Sequence, residues 1–318
     1  GWLGINKINN LILKENVNKN LLIHVHGIWA PIQIYSLIIA NMRGVPSIVH
    51  PHGMLLNEAM IGGGNIKFFL KSFILYLISI FANRGKIVFI AITDQEKKSI
   101  KRFFPNFKIF KINNPIPFDH NIKKHHNIKK KFSFFGRIHK HKNVEFIIRA
   151  FIKANLGEQW SLEIYGIADD ENYLKDLKNR YLNNKNIKIL KPVFKKNKEK
   201  IMSESWFNIL ASKSEVLSLS ILEAGILGLP SLVTNNIELI KNDKLTKLSD
   251  NNLDSLSESI KKVSSWNVTK RENYGIKVKN FFKKYQKNSI HNLKQKFLDI
   301  YHLFSINKKN SSINYNNN

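Results

Sequence analysis

Two cations and two carboxylates stand at spacings that could do chemistry. The segment Gly136-Arg-Ile-His-Lys-His-Lys-Asn143 follows the apolar run at 132–135. It precedes Val144, Ile147, Ile148 and Phe151, which keep i, i+3, i+4, i+7 spacing. That pattern predicts strand, turn, helix. Arg137 and Lys142 then bring two positive charges to a helix start, where the backbone already favours an anion, and Gly136 lets the chain approach a ligand closely. A solvated basic turn is the bland alternative in so lysine-rich a chain. The carboxylates are Glu215 and Glu223, seven residues lying between them, in Ser212-Lys-Ser-Glu-Val-Leu-Ser-Leu-Ser-Ile-Leu-Glu-Ala-Gly-Ile-Leu-Gly-Leu-Pro230. The run 206–210 reads as a buried parallel strand, which puts Glu215 in the loop at its carboxyl end. Ser220-Ile-Leu-Glu223 has the Ser-x-x-Glu form of a helix start, so Glu223 also reads as a capping-box partner. Gly228 and Pro230 stop that helix.

Histidines form a second constellation. His24/His26 and His50/His52 are two His-x-His pairs. On a strand i and i+2 share a face, so four imidazoles could converge on a metal. Acidic residues nearby are sparse, namely Glu58, Asp94 and Glu96.

The elements needed to position these groups alternate along the chain. Strands are predicted at 21–27, 45–50, 86–92 and 108–112. Helices are predicted through residue 39, at 67–83 and at 94–104. The segment 67–82 is apolar almost all round, with Lys67, Lys71, Arg84 and Lys86 near its ends; buried packing is the expectation, and an interfacial helix touching a membrane the alternative. Asn113-Asn-Pro-Ile-Pro117 and the Lys/His/Asn-rich stretch to Lys131 mark a break. Beyond it, strands are predicted at 132–135, 160–166, 186–190, 206–210 and 231–234, with helices at 171–181 and from Ser220. After Thr234 the pattern is vague until an amphipathic region at 270–304.

Both chemical segments resemble the glycosyltransferase family 4 type. "FFGRIHKHKNVEFIIRAF" is similar to that family's phosphate-gripping loop, and "SE….ILEA…GLP" to its E-x(7)-E segment; His-Val-His-Gly-Ile-Trp and His-Pro-His-Gly-Met look like two segments of its amino-terminal domain. The resemblance covers about 21–304. It implies an α/β fold of two Rossmann-like domains (GT-B) with catalysis in the cleft: 1–117 on the acceptor side, 118–283 binding the nucleotide sugar, 284–304 a helix crossing back and 305–318 a low-complexity tail. It implies a retaining hexosyltransferase that moves a sugar from a nucleotide-diphosphate donor to a glycan or lipid-linked acceptor in cell-surface polysaccharide synthesis, capsule or lipopolysaccharide included. Arg137 and Lys142 would hold the diphosphate, Glu223 the ribose hydroxyls and Glu215 the donor sugar. His52 would line the cleft beside the sugar and its phosphate, with His26 near it. The catalytic side is thus His52 and Glu215; the donor side is Gly136, Arg137, Lys142, Val216, Leu217, Ser218 and Glu223. Two departures stand out: Val216-Leu217-Ser218 replaces the family's Gly-Phe-Gly, and Lys191 replaces a glycine common in its base-binding loop. No metal or other cofactor is implied.

Composition frames the alternatives. The 318 residues suit two domains, and 43% hydrophobic content can fill both cores. Lys+Arg 51 against Asp+Glu 23 gives +28, which invites a polyanion, although Lys, Asn and Ile are inflated everywhere. The cations are scattered, without the one-sided aromatic and basic interleaving of nucleic-acid modules, so no nucleic acid is expected. Peripheral contact with an anionic membrane stays open as an alternative. With no cysteine, disulfides and thiolate chemistry are excluded, and the expected compartment is cytoplasmic, with the inner face of the cytoplasmic membrane as a possible location. Only about twenty residues precede the His24 strand and the first is Gly1, so the chain reads as a fragment whose first domain lacks its amino-terminal part. The alternatives are a metal-dependent hydrolase built on the His-x-His pairs and a non-catalytic polyanion- or membrane-surface-binding protein.

Overall fold

The structure, a computed structural model, describes residues 21–61, 64–116, 127–213, 215–240 and 243–313, with side chains described through Phe304. Its contacts divide the chain into two units: 1–115 with 288–318, and 116–287. The fragment expectation concerns residues 1–20, which lie outside the described residues.

In the first unit, strands β1 (Ile23–His26), β2 (Ser47–His50), β3 (Ile87–Ala91) and β4 (Lys108–Lys111) form a parallel sheet in that order. Every residue of β2 and β3 is buried, as sheets covered on both faces require. Alternation splits them: Val49, Ile87 and Phe89 join one apolar cluster, Ile48, Val88 and Ile90 another that includes Ile300 and Phe304. Helices α1 (Pro31–Met42), α2 (Asn57–Ile61), α3 (Asn65–Phe81) and α4 (Asp94–Phe103) fill the connections. The α4 start is well specified: the Thr93 hydroxyl accepts from Glu96 N–H at 3.2 Å, with acids in the first turn and bases in the last.

Helix α3 departs from the packing its sequence suggests. Leu75 is buried and Phe68 and Ile78 pack on the core, but Ile66 is 86% exposed, Phe69 70%, Phe73 56%, Tyr76 60% and Phe81 73%. A helix laid on a sheet buries one stripe, so an all-round apolar sequence leaves its outer face in solvent.

The second unit holds a six-stranded parallel sheet in the order β10-β9-β8-β5-β6-β7. Its strands are β5 (Lys131–Phe135), β6 (Ser161–Tyr165), β7 (Ile187–Leu190), β8 (Phe207–Leu210), β9 (Ser231–Thr234) and β10 (Lys247–Ser249). The helices are α5 (Val144–Ala154), α6 (Glu171–Tyr181), α7 (Lys195–Ser203), α8 (Leu219–Leu227) and α9 (Leu253–Ser264). Phe132, Phe134, Leu162, Ile164, Phe207 and Ile209 build the main core against Ile147, Ile148 and Phe151 of α5. Both units are therefore Rossmann-like α/β folds.

A single helix, α10 (Val268–Ile313), follows. It continues past Phe304 into the segment whose composition reads as tail. Near its start Arg271 is buried, and its guanidinium donates to the carbonyls of Trp206 (2.5 Å), Ser205 (3.1 Å) and Gly228 (3.3 Å). Gly228 ends α8 at φ 77°, where a side chain would be strained, and a Cβ on Gly275 would lie 2.5 Å from its carbonyl oxygen. Among the described residues no helix is long and apolar enough to cross a membrane.

Candidate functional site

Strand order in the second unit reverses between β5 and β8: the chain moves outward through β6 and β7, then returns to the other side of β5. Ligands of open α/β sheets bind beyond the carboxyl ends of strands at such a switch point. The loops leaving β5 and β8 carry both segments singled out by sequence.

After β5, Gly136 N–H donates to Tyr165 O (3.1 Å) and Ile138 N–H to Ile167 O (2.8 Å), which carries pairing past the strand end. A Cβ on Gly166 would stand 2.0 Å from Gly136 O, so the approach that matters for Gly136 is to another backbone segment. The His139 ring accepts from His141 N–H (3.1 Å) and caps a 3-10 turn over Lys140–Lys142; Asn143, at φ 55°, then opens α5. Arg137 is 66% exposed and donates to Asp169 (2.8 Å). Lys142 donates to Glu215 Oε2 at 2.5 Å, with both side chains about one-sixth exposed.

The β8 loop is drawn to this turn by its backbone, since Lys213 N–H donates to His141 O at 2.9 Å. Glu215 O accepts from Glu238 N–H (3.1 Å), which holds the loop on its far side. Val216 and Leu217 are half-buried. Ser218 is the N-cap of α8, yet no side chain caps the helix; its hydroxyl meets that of Ser220 at 3.1 Å. The Ser220/Glu223 capping box is therefore not formed. The helix begins earlier, at Leu219, and Glu223 lies within it, nearly buried. Its carboxylate accepts from Lys198 Nζ on α7 at 2.5 Å. A buried carboxylate needs such a partner.

His52 belongs to the first unit, where the imidazoles do converge. His26 pairs with His50 in register across β1 and β2. His26 Nδ1 and His52 Nε2 share a hydrogen bond of 2.8 Å, and the His50 and His52 rings stack at 3.8 Å. His52 holds φ 54°, the left-handed region a non-glycine residue rarely adopts. What holds it there is Glu96: this buried carboxylate accepts from Gly53 N–H (2.5 Å) and from Ile92 N–H (2.7 Å). Partial loss of water around the packed rings first, and the neighbouring imidazoles second, push the solvent-edge His24 down to about 4 and the buried His50 to about 3; His52 is lowered by desolvation and by His26. Near neutrality His24 and His50 are uncharged.

The structure thus gathers Gly136, Arg137, Lys142, Glu215, Val216, Leu217, Ser218 and Glu223 at one sheet edge of the second unit, and His52 with His24, His26 and His50 in the first. Lys198 and Asp169 were not legible in the sequence: Lys198 is one lysine of a Lys-Lys-Asn-Lys-Glu-Lys run, and nothing local distinguishes it. Glu96 carried a signal, as an acid three residues after a capping threonine, but the turn it supports is 43 residues away.

The model for "Glycosyl transferases group 1" matches residues 116–281. No curated protein sequence matches. Among solved structures, Anabaena HepE in complex with UDP and glucose is 16% identical with a TM-score of 0.71, over 94% of this chain and 81% of that one. S. aureus TarM is 18% identical with a TM-score of 0.69, over 88% and 54%. A trehalose-phosphate synthase (UDP-forming) from Burkholderia vietnamiensis is 9% identical with a TM-score of 0.70, over 96% and 78%. The chain spans about half the length of TarM.

Proposed function

The chain belongs to the glycosyl transferases group 1 family, a glycosyltransferase of the GT-B class, and from that membership we propose that it moves a hexose from a nucleoside-diphosphate sugar to a glycan or lipid-linked acceptor, with retention at the anomeric carbon and without a metal. The observation that carries this reading is the Lys142–Glu215 pair at the switch point of the second sheet, flanked by Arg137 and the uncapped start of α8. HepE, solved with UDP and glucose, supports a uridine donor by likeness of fold.

Mechanism follows from charge. The bond from the anomeric carbon to the diphosphate oxygen breaks, the acceptor oxygen bonds that carbon on the same face, and its proton passes to the departing phosphate. Negative charge grows on that phosphate, and meeting it is the main electrostatic task. Arg137 and Lys142 meet it with fixed cations; the first N–H groups of α8, which no side chain caps, add donors without charge. Glu223 accepts from the ribose hydroxyls, and Glu215 orients the sugar once the phosphate draws Lys142 from it. His52 serves the sugar side.

Acceptor chemistry gives the exposed face of α3 a role: with Lys67 beside it, it rests on an anionic membrane that carries a lipid-linked acceptor, at the cytoplasmic face, in capsule or lipopolysaccharide assembly. Nucleic acid is no partner in this reading. The test has two stages. Thermal unfolding with uridine, guanosine and adenosine diphosphates should show one clear rise. The matching nucleotide sugars are then assayed in excess chelator, with the product anomer read by NMR. Turnover that vanished in chelator and returned with manganese would overturn the metal-free mechanism; an inverted product would overturn retention.

A further inference from the structure

Outside the donor residues, the densest cluster of ligand-type side chains is the histidine group of the first unit. His24, His26 and His50 each offer a ring nitrogen, and the three nitrogens lie within 4.8 Å of one another. Their placement follows from the sheet: His24 and His26 share one face of β1, and His50 stands opposite His26 on β2. His50 Nε2 is a separate observation. The residue is 7% exposed, and that nitrogen has no hydrogen-bond partner among the described residues. Buried polar atoms are nearly always satisfied, and an orphan at a cluster of lone pairs points to a missing ligand.

We propose that His24, His26 and His50 bind one divalent transition-metal ion of the zinc class, with His52 as the residue that orients His26. Imidazole suits zinc, cobalt, nickel and copper; hard cations such as magnesium prefer oxygen. A tetrahedral zinc ion with bonds of about 2.0–2.1 Å sets its ligand nitrogens about 3.4 Å apart, so side-chain rotations closing under about 1.5 Å complete the site. His26 already gives Nδ1 to His52, which leaves Nε2 for the ion. A ligating imidazole whose other nitrogen is held is the usual supporting arrangement. Three histidines leave the fourth position open to water or an exchangeable ligand. The proposal does not depend on the Arg137 and Lys142 grip, because every residue in it belongs to the other unit, and His52 is the one residue it shares with the sugar-side reading.

The experiment uses the full chain, stripped with chelator and dialysed, and titrated calorimetrically with zinc chloride and with magnesium chloride at pH 7.5. One equivalent of zinc binds, and magnesium does not. His50→Gln and His24→Asn each weaken zinc by at least about 10-fold, and His52→Ala by about 10-fold through loss of the hold on His26. His24 is exposed, so its variant keeps the fold if His50→Gln does not. His302→Gln, an exposed histidine of α10, leaves binding unchanged. Absent stoichiometric binding, unchanged binding in the His24 variant, or an equal loss in His302→Gln would each overturn the site.

Discussion

Lys142 and Glu215, 73 residues apart in sequence, are joined by a 2.5 Å ion pair that links the loops leaving β5 and β8. The pair makes the cation and the carboxylate mutually dependent, because a diphosphate arriving at Lys142 competes with Glu215. Glu215→Gln removes the competitor and is expected to keep or raise nucleoside-diphosphate affinity while lowering turnover. Glu223→Gln, which takes the charge from the partner of Lys198, is expected to weaken the nucleotide with little effect on sugar choice. Calorimetry and steady-state kinetics on both variants check this, and equal loss of nucleotide affinity would mean the two roles are misassigned.

The donor grip is separable from general positive charge. Charge-assisted contacts contribute roughly 1.5–3 kcal/mol each, so Arg137→Ala with Lys142→Ala should weaken a nucleoside diphosphate by about 10² to 10⁴-fold. Both cations already have carboxylate partners in Asp169 and Glu215, which places the expected loss toward the lower end. Lys178 with Lys185, changed together, should matter little, since attraction from a +28 surface is screened within about 8 Å at physiological salt. Equal, strongly salt-dependent losses in both double variants would move the donor site elsewhere.

Membrane contact through α3 should be removable without harm to the fold. Phe69 and Phe73 are 70% and 56% exposed, so Phe69→Ser with Phe73→Ser costs little stability. Sedimentation with vesicles containing anionic lipid should fall at least several-fold, and thermal unfolding should hardly move. Unchanged sedimentation would exclude α3 as the contact.

Arg271→Leu is the expected severe substitution of the second unit. It strips three backbone carbonyls of their guanidinium donor at the junction of β8, α8 and α10. At about 1 kcal/mol per unmet group the loss is about 2–4 kcal/mol, and urea unfolding measures it. A change under about 1 kcal/mol would show that water replaces the guanidinium.

Legibility in the sequence tracked how local each determinant was. Helix 171–181 and strand 231–234 were readable to the residue, because Asp170 caps the helix, and Pro230 and a short β-branched run define the strand. The i, i+2 histidines gave their own convergence. Helix α7 lacks periodic apolar residues strong enough to declare itself, whereas α9 carries Leu253, Leu256, Ile260 and Val263 at helical spacing, a stripe that the surrounding serines and lysines obscured. Ser220 and Glu223 matched a capping pattern that tertiary packing overrode: Ser218 stands at the N-cap position without a capping hydrogen bond, and Lys198 took the carboxylate. The bare face of α3 was illegible for a related reason, since hydropathy records what a side chain prefers and not whether the sheet has room for it.

The unbroken helix α10 has a consequence for biosynthesis. Residues 116–287 are contiguous, so this part of the chain can complete its core as soon as it has left the ribosome. The sheet of β1–β4 is made earlier but must wait, because the cluster around Ile48, Val88 and Ile90 is filled by Ile300 and Phe304, made about 190 residues after β4. The order of synthesis and the order of folding are therefore reversed, and the nascent sheet is left with one apolar face for a chaperone to cover until residues 300–304 have been made.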